Sequence, residues 1–289
     1  MPEQTAIFLH IPKTAGITLY TVIERQYPRS QIYSTAQPIP LDYSANIAIL
    51  KKAKREQLTG IRMLMGHMAY GLHVYLPNPA SYFTLLRDPV ERVISFYRYV
   101  QHTPTHFLHH YALEPHMTLQ KFVNSKLSLD VDNLQTRLLA GVWYDDAPYG
   151  AYGGELLEVA KRNLRQCAVV GLMERFDETL LLLKHTYQWR NIFYIKHNIG
   201  QRFSDLTDLT EETLEAIRDH NRLDLHLYQY AQSLLEEQLR QQGFAFKAKL
   251  RSFQAANQVY QIVRTFSLRV YLRTWWTSHF NRPINTNHS

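Results

Sequence analysis

Apolar residues follow two rhythms along the chain. Nearly unbroken apolar runs occur at 5–11, 63–65, 82–86 and 168–171, and segments in which apolar residues recur every three or four positions lie at 17–26, 90–100 and 179–189. Unbroken runs suit strands buried on both faces, whereas the recurrence suits helices with one buried stripe. Strand followed by helix, repeated, predicts an α/β fold built on a parallel sheet flanked by helices. Further helices are predicted over 42–56, 118–127, 132–140, 154–166, 177–189 and 210–240. The best local start signal is Asp88-Pro89-Val90-Glu91, which supplies an N-cap, a proline at the first helical position and a glutamate at the third. Pro38 and Pro40, Pro77-Asn78-Pro79, and 144–154 read as loops, either connectors or lids beside a site.

Composition changes this picture little. The chain has 289 residues, 45% apolar and 20% charged, which excludes disordered, collagenous and low-complexity classes. Its single cysteine, Cys167, rules out an internal disulfide. The chain contains no apolar run of about 18 residues, as a membrane span requires. A buried strand at 5–11, with no leader-like pattern before it, predicts a cytoplasmic protein.

Charge adds more. The formal net charge is +7, yet residues 1–237 are nearly balanced and the excess belongs to 238–289, which hold eight basic residues and no acidic one. The expected organisation is therefore a catalytic domain over 1–243 and a helical basic extension over 244–289. The extension mixes Lys247, Lys249, Arg251, Arg264, Arg269, Arg273 and Arg282 with Phe266, Tyr271, Trp275, Trp276 and Phe280. That mixture suits peripheral contact with an anionic membrane or polyanion. A helix packed back on the domain is the competing reading. No nucleic-acid partner is expected.

In parallel sheets ligands bind beyond the carboxyl ends of the strands. Two such ends carry chemistry. The first, Phe8-Leu9-His10-Ile11-Pro12-Lys13-Thr14-Ala15-Gly16-Ile17-Thr18-Leu19, runs from a strand through a Lys-Thr-Ala-Gly turn into a helix. Its backbone N–H groups, helix dipole, lysine and hydroxyls suit an anion. It lacks the first glycine of a Walker A loop, which argues against a P-loop kinase. In the second, Arg87 ends a strand and Ser95 lies seven residues beyond the Asp88 cap, so helical periodicity returns Ser95 to the face of Asp88 and Glu91 or Arg92. A guanidinium there offers bidentate contact to a phosphate.

Together, in this order and about 75 residues apart, the two segments resemble the 5′-phosphosulfate and 3′-phosphate binding segments of sulfotransferases that use 3′-phosphoadenosine 5′-phosphosulfate (PAPS). The resemblance is to carbohydrate sulfotransferases related to heparan sulfate and uronyl 2-O-sulfotransferases. It extends through Gly66-His67-Met68-Ala69-Tyr70-Gly71, Asn133-Leu134-Gln135-Thr136-Arg137 and Val170 to Leu180. It implies a P-loop-like sulfotransferase fold and sulfuryl transfer from PAPS, leaving 3′,5′-adenosine bisphosphate, to an acceptor hydroxyl on a carbohydrate. Lys13 would meet the charge on the leaving phosphate, and Lys13, Thr14, Ala15, Gly16, Ile17 and Thr18 would form the donor loop. Ile17 departs from the Thr or Ser common in the family, so donor binding should be reshaped there.

By the same resemblance, Arg87 and Ser95 would hold the 3′-phosphate and Arg202 would reach it from the far side. Arg137 would contact an anionic acceptor or close over the donor, and for Arg137 and Arg202 alike a plain surface or helix-face arginine is the competing reading. His67, which follows the Met63 strand and a glycine, is the candidate general base; His73 and His10 compete, and His10 more readily packs. The sequence shows no zinc-type Cys/His cluster, no H-E-x-x-H and no EF-hand loop, so no metal is expected. The rival functions are a nucleotide-dependent phosphotransferase and a non-catalytic binder of polyanions or membranes.

Overall fold

The computed structural model describes residues 4–35, 43–146, 148–196 and 209–280, with backbone alone at 43, 145 and 265–280. Its centre is a five-stranded sheet in the order β2-β3-β1-β4-β5, parallel at every pairing. The strands are β1 (Thr5–Leu9), β2 (Ile32–Ser34), β3 (Met63–Gly66), β4 (Ala80–Leu86) and β5 (Val169–Leu172). The helices are α1 (Gly16–Ile23), α2 (Tyr43–Lys52), α3 (Pro89–His102), α4 (His109–Ala112), α5 (Leu119–Asn124), α6 (Leu134–Leu139), α7 (Gly154–Arg165), α8 (Phe176–Tyr187), α9 (Glu211–His220), α10 (Arg222–Arg240) and α11 (Ala245–Phe280). This is the expected α/β class.

Every residue of β1, β3 and β5 is buried, as a sheet covered on both faces requires. From β1 the chain crosses to the β2-β3 side, then returns past β1 to β4, so the connections reverse direction at the carboxyl end of β1. Open parallel sheets bind ligands at such a reversal because the two diverging loops leave a crevice. Register aligns the neighbouring ends there: Leu9 pairs with Gly66 of β3 and with Thr84 of β4.

The apolar interior has two parts. One surrounds the sheet; the other lies among α3, α4, α5 and α9 and includes Val93, Phe96, Tyr97, Phe122 and Ile217. The helix expected over 210–240 is broken at Asn221, whose side-chain amide donates to the carbonyls of Ile217 and Val131. The basic extension is helical and packs back over its first half. Phe253 and Asn257 are buried, Asn257 accepts from Tyr194 N, and the Tyr260 ring stacks on Phe193. Among the described residues no helix is long and apolar enough to cross a membrane.

Candidate active site

The β1–α1 turn presents backbone rather than hydroxyls. Lys13 and Ala15 both adopt the left-handed conformation, with φ of 72° and 66°, although neither is glycine. Such positions store about 1–3 kcal/mol each and persist only where the surrounding structure enforces them. The alternation curls the chain so that the N–H groups opening α1, on Gly16, Ile17 and Thr18, have no helical carbonyl to bond and suit an anion. Thr14 is fully buried and donates to the Ile11 carbonyl at 2.8 Å, so it shapes the loop. Thr18 is buried as well, and Ile17 is exposed. Gly16 is required by close approach: a Cβ there would fall 1.8 Å from the His10 ring.

Arg87, at the end of the neighbouring strand, reaches this turn directly. Its guanidinium donates to the Lys13 carbonyl at 3.3 Å and pairs with Glu91 at 3.4 Å. The two cations oppose each other. Burial and then Arg87 lower the Lys13 ammonium to about 8, with Asp130 acting the other way. Arg87 is likewise lowered, mainly by burial. Arg87 thus disfavours the charge on Lys13, a cost that an anion beside the two cations would offset. The Lys13 ammonium rests 4.0 Å above the Tyr99 ring, and Ser95 sits half-buried one turn earlier on the same helix.

His67 follows β3 on the other side of β1. Its Nδ1 is 2.8 Å from the His10 carbonyl, which can only accept, so Nδ1 carries the proton and Nε2 is the basic atom. The ring stacks on His10 at 4.3 Å, and Thr35 donates to the His67 carbonyl. Burial lowers His67 to about 4, opposed by the His10 carbonyl and reinforced by Lys13, so the ring is neutral near pH 7. His10 is buried, with Nδ1 2.7 Å from the Tyr20 hydroxyl, and packs as expected. His73 bonds the Tyr82 hydroxyl away from these corners.

Arg137 is brought elsewhere. It is 2% exposed, paired with Asp132 at 3.4 Å, bonded to the Pro148 carbonyl and set over the Tyr152 ring. With Asp132, Asn133, Gly150, Tyr152 and Leu156 it lines a small cavity that contains none of the strand-end residues. Arg202 lies outside the described residues.

Sequence reasoning missed the supports of Arg87. Gln135 donates to the Arg87 carbonyl at 2.9 Å and accepts from the Arg87 N–H at 3.0 Å, clamping its backbone as a further strand would. Gln135 is held in turn by buried Asp224, which accepts from Gln135 N, Thr136 N and the Thr136 hydroxyl. Asn133 reciprocates by accepting from Leu223 N and Asp224 N, so α6 and α10 cap each other. Glu174 accepts from Asp88 N, and the Asp88 carboxylate caps α3 through Glu91 N. Gln135 and Glu174 both fall inside the segments of family resemblance, the one signal that pointed at them. Among the described residues no group of three or more His, Cys, Asp or Glu could hold a metal.

Comparison with known proteins follows the same line. The profile of the galactose-3-O-sulfotransferase family matches residues 1–263. Human heparan-sulfate 6-O-sulfotransferase 1 is 27% identical over 296 residues, which cover 86% of this chain and 68% of the relative. Zebrafish (Danio rerio) heparan-sulfate 6-O-sulfotransferase 1-B is 31% identical over 282 residues, covering 81% and 67%. The chain thus spans about two thirds of the length of these relatives. A crystal structure of mouse sulfotransferase SULT7A1 complexed with PAP matches with a TM-score of 0.35 and 19% identity, over 76% of this chain and 64% of that one. The relatives also correct the expected cytoplasmic placement, because they are named as sulfotransferases of heparan sulfate.

Proposed function

We propose, for a chain that belongs to the galactose-3-O-sulfotransferase family, sulfuryl transfer from PAPS to a carbohydrate hydroxyl with His67 as general base and Lys13 as the stabiliser of the leaving phosphate. The chain is a sulfotransferase by its family and its relatives. The observation that supports the assignment of roles is the adjacency of Lys13 and Arg87, whose guanidinium donates to the Lys13 carbonyl and disfavours the Lys13 charge, with the N-terminus of α1 beside them.

The residues fit a doubly phosphorylated adenosine. The N–H groups opening α1 and Lys13 suit the 5′-phosphosulfate, while Arg87 and Ser95 suit the 3′-phosphate and orient the donor. Nε2 of His67 takes the acceptor's proton as the acceptor oxygen bonds to sulfur. The bond from sulfur to the 5′-phosphate oxygen breaks, its electron pair staying on that oxygen, where Lys13 neutralises the new charge. Transfer of this kind gathers charge on the leaving group, so an ammonium at that oxygen acts chiefly in the transition state. A base lowered to about 4 is unprotonated at working pH, and the anionic donor opposes that lowering, which raises its proton affinity as the site fills.

The buried pairing of Arg137 with Asp132 supports a structural part for that arginine in place of acceptor contact. Exposed Lys247, Lys249, Arg251 and Arg264 on α11 suit peripheral contact with an anionic surface. Greater co-sedimentation of the full chain than of a chain ending at Gln242 with anionic liposomes supports that contact, and equal partitioning discards it.

The principal test has two arms. Calorimetry is expected to show binding of 3′,5′-adenosine bisphosphate in preference to ATP; preference for ATP would favour a phosphotransferase, and no binding a non-catalytic protein. Labelled PAPS offered over a panel of glycans, glycolipids and peptides, read by mass spectrometry, is expected to mark glycans.

A further inference from the structure

One feature beside Lys13 is not used by the donor or the base. Phe107 is 75% exposed and Tyr99 43% exposed, large apolar surfaces that do not contribute to the core. They are nonetheless packed in a ladder of rings. The Phe107 ring stacks on His106 at 4.8 Å and 21°, and His106 stands edge-on to Tyr99 at 5.6 Å and to buried Phe96 at 5.8 Å. Leu108 N donates to Nδ1 of His106, so that ring is fixed as the tautomer with its proton on Nε2, a donor for a hydroxyl. The ladder ends on the ammonium of Lys13, which lies over Tyr99.

We propose that Phe107, backed by His106 and Tyr99, forms the acceptor subsite, an exposed aromatic face on which a pyranose unit of a glycan lays the C–H face of its ring. This rests on the sulfotransferase reading and adds how the acceptor is held. A sugar ring has an apolar face of C–H groups and a rim of hydroxyls. The electron-rich face of an aromatic ring attracts the first, and a fixed N–H donor meets the second. A preformed platform loses little entropy when it binds. Its openness suits a chain acceptor, which can run across an exposed shelf but not into a closed pocket.

Phe107→Ala tests this cleanly, because an exposed side chain can be truncated with little effect on folding. The variant is expected to raise the glycan KM about tenfold, with kcat, donor KM and bisphosphate affinity within about twofold of the parent. Phe107→Trp is expected to restore the glycan KM. An unchanged glycan KM in Phe107→Ala overturns the platform, and so does a rise confined to the donor KM, which would assign the rings to the nucleotide. If the parent protein itself transfers to no glycan, the sulfotransferase reading fails, whatever the variant does.

Discussion

The two corners beside β1 are built in opposite ways. At the β4 corner Arg87 is held by hydrogen bonds to its backbone from Gln135, by the Asp88 cap and by Glu91, a polar frame around a charge that must stay charged. At the β3 corner His67 is held by ring stacking on His10 and one carbonyl, in surroundings that push it towards neutrality. Under the proposed roles, one sheet edge serves two tasks. Binding an anion calls for cations whose desolvation is partly offset by hydrogen bonds; taking a proton calls for a base that burial keeps empty.

If that division is right, removing the base should disturb turnover and leave donor binding alone. His67→Ala is expected to lower kcat about 10²- to 10⁴-fold, with bisphosphate affinity by calorimetry unchanged. A comparable loss of affinity would erase the distinction between the corners. Arg87→Ala should do the reverse, weakening bisphosphate binding about 10- to 100-fold and raising the donor KM more than it lowers kcat in initial-rate assays.

A subtler variant probes the frame itself. Gln135→Ala leaves the Arg87 N–H and carbonyl without their partners and should lower unfolding stability by about 1–3 kcal/mol in denaturant titration. Bisphosphate affinity should fall severalfold with it. Full affinity at reduced stability would make Gln135 a fold residue alone.

The smallest effect is a pH dependence. Lys13, lowered to about 8, is charged below that pH, and a bound anion favours the charged form. Above about 8 binding must therefore take up a proton, so bisphosphate affinity should decline with rising pH by at most about tenfold per unit. Lys13→Arg should flatten that decline, because a guanidinium stays protonated.

The β1–α1 and β4–α3 turns were legible in the sequence because each is a local strand, turn and helix whose residues lie within a dozen positions. What holds Arg87 in place was not. Gln135 meets Arg87 across 48 residues and Asp224 meets Gln135 across 89, and no periodicity reports such a contact. Strand β2 has only three residues, too few to show a rhythm. Asn221 breaks a helical pattern that apolar spacing carries straight through, since its effect comes from carbonyls its side chain reaches. The burial of Arg137 was not legible either, because residue type does not disclose it, and its pairing with Asp132, five positions earlier, shows only in the fold.

The missing side chain at Gly16 leaves room for His10, the residue on which His67 also leans. The proposed donor cradle and proton acceptor therefore share a wall one imidazole thick. Anyone re-engineering this scaffold for a different activated donor would find that widening the cradle shifts the base, so a library randomising positions 10, 16 and 67 jointly should outperform three separate ones.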